Sequence, residues 1–253
     1  MNKIDFLFKQ KSKNVLSIYF PAGFPKLNDT KKNIELCLKM GVDMIEIGIP
    51  FSDSLADGLV IQKAHNKALK NGMNLNILFE QLKTLDFKNI EIPILLMGYW
   101  NTVFQYDVEK FIKQCEETGI SGVIIPDLTI EEYISNYKNL FEKNGIHNIF
   151  LVTPNTSPSR LELISNYSNG FIYMISVPST TGSQVLKEDI ISQEKYFKNI
   201  AALGLSTMIG FGISNKEKFA LANKFANGAI IGSAYVKALS NNREKEFLLQ
   251  FKK

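Results

Sequence analysis

Two periodicities alternate along the chain. Short runs rich in β-branched and aromatic residues lie at Val15–Phe20, Met44–Ile49, Pro93–Gly98, Gly122–Ile125, Asn148–Val152, Phe171–Ile175, Ser206–Gly210 and Gly228–Ile231, and they read as eight strands. Between them apolar positions recur every three or four residues, which predicts helices. Asn28–Met40 places Ile34, Cys37 and Leu38 on one face, and Val108–Thr118 stops at Gly119, a residue suited to the left-handed turn after a helix. Thr129–Lys143 runs into Asn144-Gly145, and Ser214-Asn215-Lys216-Glu217 has the spacing of a capping box ahead of Phe219, Leu221 and Ala222. Asn2–Gln10 adds a helix before the first strand.

Parallel strands need crossovers of about a dozen residues or more, so repeated strand–helix units build either an open doubly wound sheet or a closed barrel. Eight units in 253 residues favour closure. The expected fold is an α/β protein, a (β/α)8 TIM barrel with an extra N-terminal helix. No linker, repeat or charge block marks a boundary, so residues 1–253 are expected to form a single domain. The longest interval follows the second strand, where Phe51–Gln62 reads as an inserted loop ahead of its helix. Extra loop at that end of a barrel is where function usually sits.

Composition narrows the classes. At 45% hydrophobic and 21% charged residues the chain is neither disordered nor of low complexity. The net charge of +4 comes from scattered Lys, with Arg160 and Arg243 the only arginines, whereas forked recognition of bases and phosphates favours Arg. A solvated Lys surface is the expectation, and nucleic acid is not. Cys37, Cys115, His65 and His147 lack metal-ligand spacing, so no metal site is expected and each reads as a core or surface position. The first residues lack the apolar stretch of a secretory signal and no run of 18 apolar residues occurs, which predicts a soluble, cytoplasmic protein.

Glu46 is the first candidate for chemistry. In Met44-Ile45-Glu46-Ile47-Gly48-Ile49 the isoleucines share one side of the strand, and Glu46 shares the other with Met44 and Gly48. A carboxylate in an apolar strand is costly unless it is paired or functional. An ion pair with a Lys of a neighbouring strand and a catalytic role both remain open, although no strand run contains an internal Lys or Arg. Asp53 reads as an Asx-turn residue. Asp57, just before Gly58, either caps the following helix or hangs over the barrel mouth beside Glu46. Gly210-Phe211-Gly212-Ile213-Ser214 after the seventh strand and Gly228-Ala229-Ile230-Ile231-Gly232-Ser233-Ala234 at the eighth would be neighbours only in a barrel. Bare glycines at helix starts let a phosphate approach backbone N–H groups. Ser179-Thr180-Thr181-Gly182-Ser183, after the sixth strand, reads as a lid.

The stretch Glu46-Ile47-Gly48-Ile49-Pro50-Phe51-Ser52-Asp53, then Leu55-Ala56-Asp57-Gly58 and Ile61-Gln62, closely resembles the signature of the tryptophan synthase α subunit family. Gly210–Ser214 and Gly232-Ser233-Ala234 resemble the family's phosphate loops, and the likeness runs to about Leu239. The resemblance implies a lyase that cleaves indole-3-glycerol phosphate to indole and glyceraldehyde 3-phosphate by a retro-aldol reaction. It implies that Glu46 shuttles protons and that Asp57 accepts the indole N–H. It places Gly182, Gly212, Gly232 and Ser233 at the phosphate, Tyr19, Met97, Ile124, Leu151, Tyr173 and Phe211 around the indole, and Thr181 in the lid. It also implies no cofactor in this chain. The partner it implies is a β subunit that carries pyridoxal phosphate and receives indole in an α2β2 assembly.

The chain departs from the family in its loops. Ser54 and Leu59 replace prolines of the Asp57 loop, Val177 and Pro178 follow Ser176 where Arg is frequent, and Pro21 and Phe24 replace a frequent Thr and Asp. Lost prolines leave a loop more conformations to sample before it orders. Two other readings share the barrel: an isomerase or epimerase of a sugar phosphate, and a non-enzymatic allosteric partner of a β subunit.

Overall fold

The computed structural model describes residues 1–87, 89–175, 187–210 and 212–252, with the backbone alone for 187–193. The apolar runs form β1 (Val15–Pro21), β2 (Met44–Gly48), β3 (Ile94–Met97), β4 (Gly122–Ile124), β5 (His147–Ile149), β6 (Leu151–Val152), β7 (Ile172–Ile175), β8 (Thr207–Gly210) and β9 (Gly228–Ile231). All pairings are parallel, in the order β5-β4-β3-β2-β1-β9-β8-β7-β6. Only Phe150 separates β5 from β6, so the two ends of that order are one stretch of chain. Its first half pairs with β4 and its second with β7, which closes the ring into the eight staves expected of a TIM barrel.

Strand alternation decides what fills the ring. Paired residues of adjacent strands share a face, so the register Tyr19↔Glu46↔Leu95 and the register Gly48↔Met97↔Ile124 lay out successive inward layers. Ile45 and Ile47 face the surrounding helices and are fully buried there. The N-terminal helix, Lys3–Gln10, stoppers the end where the strands begin. Asn2 caps it by accepting from the Ile4 N–H at 2.8 Å, and its amide donates to the carbonyls of Ser121 and Gly145 across the barrel floor. Ile4 is wholly buried against Gly122 and Gly170.

The helices depart from expectation in two places. Asn215, not Ser214, caps the helix Lys216–Ala222, accepting from the Lys218 N–H at 2.9 Å. The predicted box is thus displaced by one residue. The predicted helix 129–143 is instead two α-helical pieces, Ile130–Glu132 and Lys138–Lys143, around a π turn at Tyr133–Tyr137. Aromatic packing of Tyr133 on Phe141 and Phe150, and of Tyr137 on Trp100, holds the wide turn.

Gly228 shows how little slack the floor has. A Cβ there would lie 2.1 Å from the Val15 carbonyl oxygen. Backbone cannot step aside as a flexible side chain does, so Gly228→Ala is expected to destabilise the fold by about 1–3 kcal/mol. Urea unfolding measures it as a lowered midpoint with an unchanged slope.

Candidate active site

Glu46 projects inward from the middle of β2. It is fully buried, and its Oε1 accepts a hydrogen bond from the Ser17 hydroxyl of β1 at 2.8 Å. Oε2 has no hydrogen-bond partner, and no cation pairs with Glu46 among the described residues. The ion-pair reading is therefore closed. Desolvation raises the carboxyl to a pKa of about 8, partly offset by the Ser17 bond, so at neutral pH the group carries its proton.

Tyr19 lies beside Glu46 in register and leans over Gly48, where a Cβ would come within 2.3 Å of its hydroxyl. That close approach explains the glycine. The hydroxyl ends 3.0 Å from Nε2 of His65, on the helix Leu59–Lys70. Tyr173 leans in the same way over Gly210. Glu46's carboxyl lines neither of the cavities that Tyr19 and Tyr173 bound.

Asp57 enters from the loop after β2. The Gln62 amide donates to its carbonyl at 2.8 Å and pins the backbone, and the Tyr99 hydroxyl donates to Oδ2 at 3.4 Å. Burial raises Asp57 to about 6, with the Tyr99 bond opposing, so it is ionised at neutral pH. Two carboxyls thus serve one end of the barrel, Glu46 buried and neutral and Asp57 at the cavity wall and ionised, an arrangement suited to paired acid and base roles. Asp53 is exposed and bonded to the Ser52 hydroxyl, away from the cavities.

Two cavities meet at Tyr19, Asp57 and Met97. One, of about 310 Å³, is mostly apolar, with Ile49, Leu151, Ile175 and Pro126 on its wall. The other, of about 440 Å³, is bounded by Tyr173, by Gly212 and Ser214 after β8, and by Gly232 and Ser233 after β9. Gly212 sits at φ +75°, which L side chains rarely adopt, and Ser233 opens the helix Ser233–Ser240. Lys218 and Lys237 stand at this cavity's rim. An apolar slot joined to an N–H-rich, cationic one fits a ligand with an aromatic head and an anionic tail.

The family model of the tryptophan synthase alpha chain matches residues 6–251 of this sequence. The chain belongs to the tryptophan synthase alpha chain family. Such a chain from Flavobacterium psychrophilum is 52% identical over 244 residues, covering 96% of this chain and 95% of its own. The tryptophan synthase subunit alpha of Legionella pneumophila superposes with a TM-score of 0.85 at 32% identity, over 100% of this chain and 95% of that one. A tryptophan synthase of M. tuberculosis in an aminoacrylate-bound form superposes with a TM-score of 0.87 at 25% identity, over 100% and 98%.

Of the residues that the alpha-chain resemblance singles out, Tyr19, Met97, Leu151, Tyr173, Asp57, Gly212, Gly232 and Ser233 all face the joined cavities. Ile124 does not. It is fully buried on β4, beside Met97 and Ile149 in the same register layer, but lines neither cavity. Gly182, Thr181, Phe211, Val177 and Pro178 lie outside the described residues. Ser17, His65, Tyr99, Lys218 and Lys237 are additional. His65 shares the helix face of Ile61, Ala64 and Ala68, and that spacing alone reads as core. Among the described residues no helix is long and apolar enough to cross a membrane, and no group of three or more His, Cys, Asp or Glu is placed to hold a metal ion.

Proposed function

We infer that this chain performs the lyase reaction of its family, the retro-aldol cleavage of indole-3-glycerol phosphate, with Glu46 moving both protons and Asp57 holding the indole N–H. One observation carries the assignment: a buried carboxyl without a cation lies beside the joined cavities, one apolar and one bounded by the glycine turns after β8 and β9, which support an indole slot and a phosphate cradle. Neutral Glu46 gives its proton to indole C3, turning the ring into an indolenine. Ionised Asp57 accepts the N–H and stabilises the positive charge that develops there. The bond from C3 to the glycerol chain breaks, and the glycerol hydroxyl on the cleaved carbon returns a proton to Glu46 as the aldehyde forms. The carboxyl ends as it began, which needs a pKa near the working pH. Reaching the ligand takes a rotation of the Glu46 side chain, which must leave its hydrogen bond from Ser17.

The apolar cavity takes the indole against Leu151 and Met97, and the Gly212, Gly232 and Ser233 turns take the phosphate, with Gly182 completing the cradle by resemblance. Phe211 and Thr181 retain the pocket and lid roles that the resemblance gives them, and Ile124 stands next to Met97 in register without lining the cavity. Lys218 and Lys237 supply charge to the anionic tail. Replacing both with Ala is expected to raise KM about 5- to 20-fold with kcat little changed, by analogy with the loss of two partly screened charge contacts. The effect shrinks in 0.5 M salt, and steady-state assays at two salt concentrations measure it.

The partner is a tryptophan synthase β subunit, with pyridoxal phosphate on that subunit and none in this chain, in an α2β2 assembly inside the cytoplasm. Leu55 and Leu59 of the Asp57 loop and Phe104 just beyond β3 are exposed by 87%, 72% and 59%, and an apolar rim around the mouth supports docking there. The loop then orders as the β subunit binds. Purified chain incubated with indole-3-glycerol phosphate is expected to release indole slowly alone and faster with a β subunit. No indole in either case, or an isomerised sugar phosphate in its place, would overturn the assignment.

A further inference from the structure

His65 is the buried titratable group that this chemistry leaves unused. It is 2% exposed and lines the apolar cavity. Its Nε2 lies 3.0 Å from the Tyr19 hydroxyl and 3.6 Å from Oδ2 of Asp57, while its Nδ1 is buried with no hydrogen-bond partner. A side chain serving only as core filler would gain from losing that orphan, since an unsatisfied buried polar atom costs about 1–3 kcal/mol. The ring is neutral, because burial lowers it to about 4, below Asp57, so a proton entering the pair settles on the carboxyl first. With no acceptor near Nδ1, the ring's one proton belongs on Nε2, where it meets the Tyr19 oxygen and faces the Asp57 carboxylate just beyond hydrogen-bond length, leaving only an idle lone pair behind.

We propose that His65 is a positioning residue for the cleavage: its Nε2–H, held by the Tyr19 hydroxyl and facing the Asp57 carboxylate at 3.6 Å, fixes where Asp57 presents its acceptor to the indole N–H. The Asp57 loop needs such a tether. Between Pro50 and Gly58 it contains no proline, Ser52, Asp53 and Leu55 are exposed, and besides His65 Asp57 is held by the Tyr99 hydroxyl on its carboxylate, by Gln62 on its carbonyl and by its own N–H on the Ser54 carbonyl within the loop. His65 grips the same side chain from a rigid helix, and the Tyr19 hydroxyl limits the ring's own movement. The proposal rests on Asp57 being the group that holds the indole.

A double-mutant cycle in the full chain, assayed with the β subunit present, separates the two ideas. His65→Ala is expected to lower kcat about 10- to 30-fold with KM changed less, the scale of a small misplacement of a reacting group. Added to Asp57→Asn it should cost less than about 2-fold, because the group it positions is gone. His65→Gln, whose amide nitrogen can donate from nearly the same place, should recover to within about 3-fold of the parent. If His65→Ala does not fold, His65→Asn, with an amide too short to reach, takes its place in the cycle. Equal losses in both backgrounds would reduce His65 to packing and overturn the proposal while leaving Asp57 in its role. An Asp57→Asn chain of full activity would overturn both.

Discussion

Glu46→Gln is expected to lower indole release by about 10²–10⁴-fold, the usual contribution of a positioned acid–base group, and at the same time to make the protein more stable in alkali. The amide keeps the carboxyl's shape and can still accept from Ser17, but it can neither give nor take a proton at C3. The stability gain follows from the same burial. Folded Glu46 holds its proton to about pH 8, whereas an unfolded glutamate releases it near 4.5. Between those values the folded chain binds a proton that the unfolded chain has lost, so stability falls as pH rises and levels off above about 8. Each tenfold difference in proton affinity is worth about 1.4 kcal/mol, which makes the full penalty on the order of 5 kcal/mol. Glu46→Gln should therefore match the parent in thermal unfolding near pH 4 and melt well above it at pH 9. Parallel melting profiles from pH 4 to 9 would show that Glu46 is not held neutral by the fold.

Asp57→Asn is expected to lower kcat/KM by about 10²–10³-fold, comparable to removing one group aimed at a developing charge. The parent should show a bell-shaped pH profile for kcat/KM. Its acid limb lies near 6, where Asp57 loses the charge that receives the N–H, and its alkaline limb near 8, where Glu46 loses the proton it must donate. In Asp57→Asn the residual activity should keep the alkaline limb and lose the acid one. A variant that keeps the limb near 6 would assign that limb to another group.

The barrel was legible because its evidence is local. Eight apolar runs, each followed by an amphipathic stretch, appear in the structure with ends shifted by a residue or two. The fifth run alone is split, at Phe150, where the chain changes partners from β4 to β7. Glu46 was legible for a related reason, since one charged residue in an apolar alternation stands out whatever surrounds it. His65 was not. On its helix it follows Ala64 and lies one turn from Ile61, a buried stripe like any other, and its meaning depends on how that helix sits against Tyr19 of β1, 46 residues away. The capping box failed by one position because Ser214 and Asn215 are both good caps, and only the direction of the chain leaving β8 selects Asn215. That choice leaves Ser214 on the wall of the larger of the two joined cavities. The packing of Tyr19 and Tyr173 over Gly48 and Gly210 was equally hidden, since it requires that these glycines offer their empty Cβ positions to rings on neighbouring strands.

The claim beneath all of this is that the fold keeps one carboxylic acid neutral at the pH where the chain works. Carbon-13 NMR of protein labelled at the glutamate carboxyl carbons, with the Glu46→Gln spectrum subtracted, reads that directly. The account predicts one resonance that titrates near pH 8 and is absent from the variant. A Glu46 signal already ionised by pH 5 would contradict it.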